Sequence, residues 1–393
     1  MFKKVLSTFG AKVITAISNL ALLYLTVHYM GATQRGNISI VILNLSFVML
    51  FAEWIAGPTL VYFFAKFQTK SIVTMAYKWI AFTLVLVLLI YQVLPLKFNL
   101  IYYALLCLFQ ISISLHNQLL IAFSKIRYFN LLTILQALLT LLFVSISIFL
   151  GYRNADYYFY GLILSSAIIY ALHLYFYFYK IEASTTHNKV GFTEVFKQSN
   201  YTFSTNAAHL ITNRISYFYI SIYCGAAALG VYSTSVSLAE TILLAATSIA
   251  TIHYSNIANS NNVNVNRRLT KLYLKYSVAI SVAGILVVML IPAIWFLQIF
   301  GVQFIDVKVF ILMYSPAIIA MSATLILTHY FSGTGNFKIS FVAGIISCFV
   351  VILFSKFVIE TYMQKGLLAL NSVALLVQAI ILYVAFYREK TNV

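Results

Sequence analysis

Seven side chains in this sequence have the chemistry to act inside an apolar environment: Arg214, Lys12, Glu53, Glu240, His209, Asn19 and Asn213. Arg214 is the sharpest, because a guanidinium near the middle of a membrane span costs roughly 2.5–3.5 kcal/mol on insertion scales. It needs an anion beside it. Glu240, mid-span on the following helix, would supply one as a structural ion pair. An anionic ligand would supply another, and a phosphate suits the planar donor fork. Arg214 sits about 100° around a helix from Asn213, a position open to either role. Glu53 and Glu240 are the acids deep inside spans. A carboxylate there could carry a proton for ion-coupled transport or stand as a permanently satisfied structural group. His209 offers a second proton site or a hydrogen-bonded packing residue. Lys12 snorkels toward a membrane surface and could meet an incoming anion there.

The elements that must position these groups repeat. Thr8-Phe9, Ile17, Asn19, Tyr29, Gly31-Ala32, Gly36 and Ser39 recur 194 residues later as Thr202-Phe203, Ile211, Asn213, Tyr223, Gly225-Ala226, Gly230 and Ser233, nine identities over 32 positions. Polar residues repeat with them. Thr8, Lys12, Thr15, Asn19 and Thr26 follow the helical period, and the same offset gives Thr202, Asn206, His209, Asn213 and Ile220. Ser39, Ser46, Glu53 and Gly57 mark one face of the next span, and Ser233, Ser237, Glu240, Thr247 and Thr251 mark its counterpart. Four polar stripes of this kind suit the wall of a wet cavity between two halves. For single Ser and Thr residues the plainer role is a bond to a backbone carbonyl within their own helix. Gly57-Pro58 should kink the second span.

Composition sets the class. Hydrophobic residues make up 62% of 393 positions and charged residues 8%, and the mean hydropathy is +0.95. No soluble domain of this size covers itself with so few charges. Twelve helical spans are expected, since helices alone satisfy every backbone group in lipid in an open chain. They fall at Gly10–Met30, Ile38–Ala65, Met75–Leu94, Phe98–Ala122, Phe129–Leu150 and Tyr157–Tyr179, then Tyr201–Cys224, Ala227–Tyr254, Leu272–Phe300, Val307–Phe331, Ile339–Phe357 and Gly366–Phe386. This gives an all-α polytopic fold: a six-helix bundle over 1–180, a polar linker over 181–200 and a second six-helix bundle over 201–393. Lys and Arg number 18 in loops on the side of the termini and 6 on the other. That bias places both termini and the linker in the cytoplasm. The first span lacks a clear small-residue cleavage site and reads as retained.

The net charge of +17 is spread between spans, which argues against a nucleic-acid partner. Cys107, Cys224 and Cys348 read as small buried hydrophobes without a disulfide framework. Neither metal-ligand spacing nor a phosphate-cradling loop is present. Asn37, Asn44 and Asn200 fit a weak glycosylation sequon.

The run from Phe9-Gly10 through Asn19, Gly31 and Gly36 resembles the start of bacterial polysaccharide flippases, as does the run Asn213-Arg214, Gly225 and Gly230-Val231-Tyr232-Ser233. The O-antigen flippase family is the best match, within the superfamily that includes multidrug and toxin extrusion transporters. The resemblance covers essentially the whole chain, down to the short turn at Ser332-Gly333. It implies two pseudo-symmetric six-helix bundles around a cationic cavity that opens alternately to each side. It also implies a non-enzymatic flippase of the bacterial inner membrane. The substrate would be an undecaprenyl-diphosphate-linked oligosaccharide repeat unit, moved from the cytoplasmic to the periplasmic leaflet for lipopolysaccharide O-antigen biosynthesis. Arg214, Lys12, Asn19, Asn213 and His209 would then contact substrate. Glu53 and Glu240 would couple transport to a proton or sodium gradient, with no other cofactor. Expected partners are the lipid bilayer and, in a synthesis complex, an O-antigen polymerase and a chain-length regulator. One position departs from the family pattern: Ser216 stands where relatives carry an acid two residues after the Arg. The competing readings are a cation-coupled drug exporter of the same fold, which would want an acidic cavity, and a membrane polymerase, which would want a large outer loop.

Overall fold

A computed structural model describes residues 2–57, 60, 70–91, 98–123, 125–180, 191–258, 262–334 and 336–389. Among them every regular element is helical: α1 Phe2–Leu25, α2 Gly31–Ala56, α3 Lys70–Ile90, α4 Leu100–Ala122, α5 Ile126–Phe149, α6 Ala155–Lys180, α7 Phe192–Tyr223, α8 Gly225–Thr241, α9 Leu243–Ala258, α10 Val263–Leu290, α11 Ala293–Phe300, α12 Val307–Met313, α13 Ser315–Gly333 and α14 Phe337–Arg388. This is a polytopic all-α membrane fold.

Among the described residues seven stretches are long and apolar enough to cross a bilayer, and nine if α8 with α9 and α12 with α13 each form one bent span. Two of the seven, of 47 and 51 residues, are too long for one crossing, since about 20 helical residues span the hydrocarbon. The first breaks at Gly31, at φ +79°, and the second at Met363, at φ 52°. Counting each as two gives eleven. Helix α7, at 32 residues, is long enough to cross but is not apolar enough to be counted among these stretches.

Close packing divides the chain into two compact units. The first comprises Met1–Met30 and Ile40–Asn206, the second Gly31–Ser39 and Ala207–Val393. In the first, Ile113 and Leu120 of α4 pack with Leu132 of α5 and Ile169 of α6. Small hydrogen-bonded pairs join the same helices, Thr140 with Ser165 and Gln110 with Ser166, each at 2.8 Å. In the second, Ile257 of α9, Leu327, Tyr330 and Phe331 of α13, and Ala343, Leu382 and Phe386 of α14 form a core. Arg267 of α10 donates to the Phe386 carbonyl at 3.1 Å and to the Glu389 carbonyl. A cation there satisfies the free carbonyls at the end of α14.

Several boundaries differ from expectation. The seventh span begins at Phe192, nine residues before Tyr201, so the later part of the expected linker is helix; its 181–190 portion lies outside the described residues. The eighth span bends by 46° between α8 and α9, and the tenth by 49° between α12 and α13. Pro316 explains the second bend: it cannot donate to the preceding turn, and it sits at the first positions of α13. At the first bend the Thr241 hydroxyl takes the Leu238 carbonyl at 2.6 Å, an alternative partner that loosens the ladder. Helix α2 ends at Ala56, and Gly57 leaves helical geometry at ψ −148°. A Cβ on Gly57 would lie 2.3 Å from the Glu53 carbonyl. Pro58 lies outside the described residues.

The second unit also holds the crossing that explains the sequence repeat. Gly31 and Gly225, equivalent under the 194-residue offset, both adopt positive φ, +79° and +83°, a conformation that disfavours any Cβ. Gly36 and Gly230 are equivalent too. A Cβ on Gly36 would fall 1.7 Å from the Ala226 carbonyl oxygen, and one on Gly230 would fall 2.0 Å from that of Ala32. Ser39 donates to its own counterpart, Ser233, at 2.7 Å, and Ser233 donates to the Gly230 carbonyl at 3.2 Å. The amide of Ala32 donates to Gln303 Oε1 at 2.9 Å. The repeat identities Gly31, Ala32, Gly36 and Ser39 are thus the residues that let the starts of α2 and α8 touch backbone to backbone.

Candidate functional site

Of the seven candidate side chains, the structure brings two together. Arg214 on α7 and Glu240 on α8 form an ion pair, Nη2 to Oε2 at 2.9 Å, with their side chains 29% and 25% exposed. Arg214 Nη1 also donates to the Tyr217 hydroxyl at 2.7 Å, three residues along the same helix face, and its guanidinium lies 5.2 Å from that ring's centroid. The contact to Glu240 is monodentate. A guanidinium has five N–H donors, so three have no hydrogen-bond partner among the described residues.

The surrounding elements explain the placement. Glu240 is the penultimate residue of α8, immediately before the first bend. Tyr314 sits at the second bend, between α12 and α13, within electrostatic reach of Arg214. Both broken helices therefore deliver their irregular turns to the same charged pair. Irregular backbone at membrane depth is tolerated where it is buried in protein or lines a cavity. Behind the pair, Ser216 donates to Asn371 Oδ1 of α14 at 3.1 Å, and Asn371 Nδ2 donates to the Tyr232 hydroxyl at 3.3 Å. Ser216, Asn371 and Tyr232 are each at most 1% exposed. This closed network fixes α7 against α8 and α14. Ser216 therefore serves packing here, at the position where an acid was expected of relatives.

The other candidates each lie within their own unit. Glu53 accepts from the Ser114 hydroxyl of α4 at 2.6 Å, and among the described residues it has no ion-pair partner. Lys12 and Asn19 are exposed on α1. Asn213 is half-buried on α7, with its Oδ1 buried and without a partner among the described residues. His209, one turn earlier, is half-buried. Among the described residues no group of three or more His, Cys, Asp or Glu could hold a metal ion.

Parts of the expected stripes dissolve. Thr26 is buried and bonds back to the Leu22 and Leu23 carbonyls at 2.9 and 3.0 Å. It opens a single π turn, Thr26–Met30. Ser46 bonds the Ile42 carbonyl and Thr247 the Leu244 carbonyl. These hydroxyls satisfy themselves within their own helices. The Thr8 and Thr251 side chains lie outside the described residues. Cys107 and Cys348 are buried, but Cys224 is half-buried at the turn before α8.

Sequence reading missed the partners that hold the site, Tyr217, Tyr232, Tyr314 and Asn371. Asn371, a polar residue in a core helix, was the available signal. It also missed Trp54, which stacks on Phe203 at 4.1 Å and donates to Asn200 Oδ1 at 2.9 Å, docking α2 on the first turns of α7.

No protein-family model matches the chain, and no curated protein matches its sequence. Solved structures do. The lipid II flippase MurJ in an inward closed conformation is similar at a TM-score of 0.72 and 15% identity, over 98% of this chain and 87% of that one. An outward-facing multidrug resistance transporter of the MATE family and MOP superfamily is similar at 0.71 and 14%, over 98% and 94%. A MOP superfamily transporter from Pyrococcus furiosus, described as having a binding pocket of reverse polarity that suggests a different function, is similar at 0.64 and 14%, over 98% and 93%. With all chains covered almost end to end, this protein has the fold shared by MATE transporters and the lipid II flippase MurJ.

Proposed function

We propose that this protein is a flippase that carries an undecaprenyl-diphosphate-linked oligosaccharide repeat unit, an O-antigen unit, from the cytoplasmic to the periplasmic leaflet by alternating access. The observation that carries the reading is the partly filled donor set of Arg214. Among the described residues three N–H groups of the Arg214 guanidinium have no hydrogen-bond partner, on a side chain that is partly exposed, and these suit a second anion. The planar fork suits a diphosphate better than a carboxylate already engaged by one oxygen. Lys12, exposed on α1, adds a second cation for the approach of an anion, and Asn19, Asn213 and His209 offer hydrogen bonds to sugar hydroxyls. The fold supports the reading at the level of class, since one of its members is named as a lipid II flippase.

A cation-coupled exporter of the same fold keeps one observation in its favour: Glu53 has no ion-pair partner among the described residues. Against it, the other intramembrane acid, Glu240, is already neutralised by Arg214.

The test is deletion of the gene in its own bacterium, followed by analysis of lipid-linked sugars and surface polysaccharide. The flippase reading requires loss of surface polysaccharide with single lipid-linked repeat units accumulating in the inner leaflet. Normal polysaccharide with new sensitivity to cationic drugs would replace it with the exporter.

A further inference from the structure

We propose that Glu240 is a displaceable counter-ion: it holds Arg214 when the site is empty, yields it to a diphosphate, and then takes it back. The inference rests on the flippase reading for its substrate and on the pair's geometry for its mechanism.

A permanent structural pair inside a membrane is best served by a bidentate, sealed contact in which both oxygens and the matching donors are used. The observed pair is neither. One nitrogen meets one oxygen at 2.9 Å, and more than a quarter of the Arg214 side chain is exposed. Among the described residues Glu240 Oε1 has no partner, and neither do three guanidinium N–H groups. An incoming phosphate can therefore engage the free edge of Arg214 before Glu240 leaves. That order matters, because a bare guanidinium at this depth costs several kcal/mol. With an overlapping exchange the cation is never uncovered.

The backbone supplies the freedom to move. Glu240 is followed by Thr241 and the 46° bend into α9, where the Leu238 carbonyl is held by the Thr241 hydroxyl. A small rotation of this last turn swings the carboxylate away from α7. Arg214 itself is steadied by Tyr217, while Ser216 and Asn371 fix the helix beneath it. The cation stays, and the anions trade places. When the carrier has turned, Glu240 competes the diphosphate off and restores the resting pair, so release needs no second cation.

Purified full-length protein in detergent at low ionic strength, titrated with inorganic pyrophosphate, tests the exchange apart from lipid and sugar. Wild type should bind weakly. Glu240→Gln, which keeps the shape and removes the competing charge, should bind about tenfold tighter. Arg214→Ala and the double variant Arg214→Ala/Glu240→Gln should show no binding. Glu240→Asp keeps the charge on a shorter arm and should fall between wild type and Glu240→Gln, which guards against a folding defect in the Gln variant. Equal affinity in wild type, Glu240→Asp and Glu240→Gln would overturn the proposal, as would a gain that persists without Arg214. The two readings fail separately. Normal polysaccharide in the deletion strain removes the proposed substrate while the pyrophosphate pattern stands. A flat pyrophosphate pattern with lost polysaccharide removes the exchange alone.

Discussion

Around Gly36 and Gly230 the two copies of the repeat meet as equals: each glycine's missing side chain admits the carbonyl of the other copy's alanine, and Ser39 bonds its own counterpart Ser233. Around Arg214 the copies part. The first copy has Leu20 where the second has the guanidinium, and Ser46 where the second has Glu240. At the two glycines the crossing is backbone against backbone, with no room for a Cβ on either copy, so both copies carry Gly there. The charged pair is side chain against side chain, beside two bent helices, and only one copy needs it. Symmetry in this protein belongs to the joint, and chemistry to the place where symmetry is broken.

The comparison can be broken first at the joint. Gly36→Leu or Gly230→Leu places several atoms where even a Cβ would lie 1.7 or 2.0 Å from a carbonyl oxygen. Overpacking against backbone should remove about 3 kcal/mol or more, read as loss of monodisperse protein and of its thermal transition. Near-normal thermal stability would mean that the starts of α2 and α8 do not touch in the folded protein. At the site of difference, Arg214→Ala or Glu240→Ala leaves a half-buried partner uncompensated and, between the exposed and buried limits, should cost about 1–2 kcal/mol. The double Ala variant should unfold at a higher temperature than either single one. A double variant no better than the singles would show that the pair is not coupled.

Glu53 in the first unit gives a smaller effect. Its partner is a neutral hydroxyl, which an amide oxygen can also accept, so Glu53→Gln should change stability by less than about 1 kcal/mol. If Glu53 couples transport to protons, the same variant loses its response to an imposed pH gradient. A retained response would move coupling elsewhere. Smallest is Ser39→Ala. A single interhelical hydrogen bond within a membrane protein averages about 0.6 kcal/mol, so the thermal midpoint should shift by only a few degrees. A larger loss would mean that the Ser39–Ser233 bond, and not glycine packing, holds the crossing.

The sequence made the joint legible in an indirect way. Identity at Gly31, Ala32, Gly36 and Ser39 marked the repeat, although nothing in it said that the equivalent residues touch. The Arg214–Glu240 contact was foreseeable as one of two partners, because a mid-span cation must find an anion and few are present. The bends were harder. Pro316 signals one, but the bend after Thr241 has no Gly or Pro and comes from a hydroxyl drawing on a neighbouring carbonyl. The start of α7 at Phe192 was hidden by Lys, Glu and Gln in its first turns, since hydropathy reads the bilayer's edge and not the end of a helix. Thr26 shares the helical period of the polar stripe, and nothing in the sequence said that its hydroxyl would bond back to its own helix.

The central claim is that Arg214 receives the diphosphate of a lipid-linked sugar, and translocation in reconstituted vesicles tests it most directly. Vesicles carrying the undecaprenyl-diphosphate-linked repeat unit would be loaded with wild type, Arg214→Lys or Arg214→Ala protein of confirmed insertion, and the unit reaching the opposite leaflet would be measured. The account predicts transfer by wild type, partial transfer by the Lys variant, which keeps the charge without the fork, and background for the Ala variant. Transfer by Arg214→Ala at the wild-type rate would contradict it.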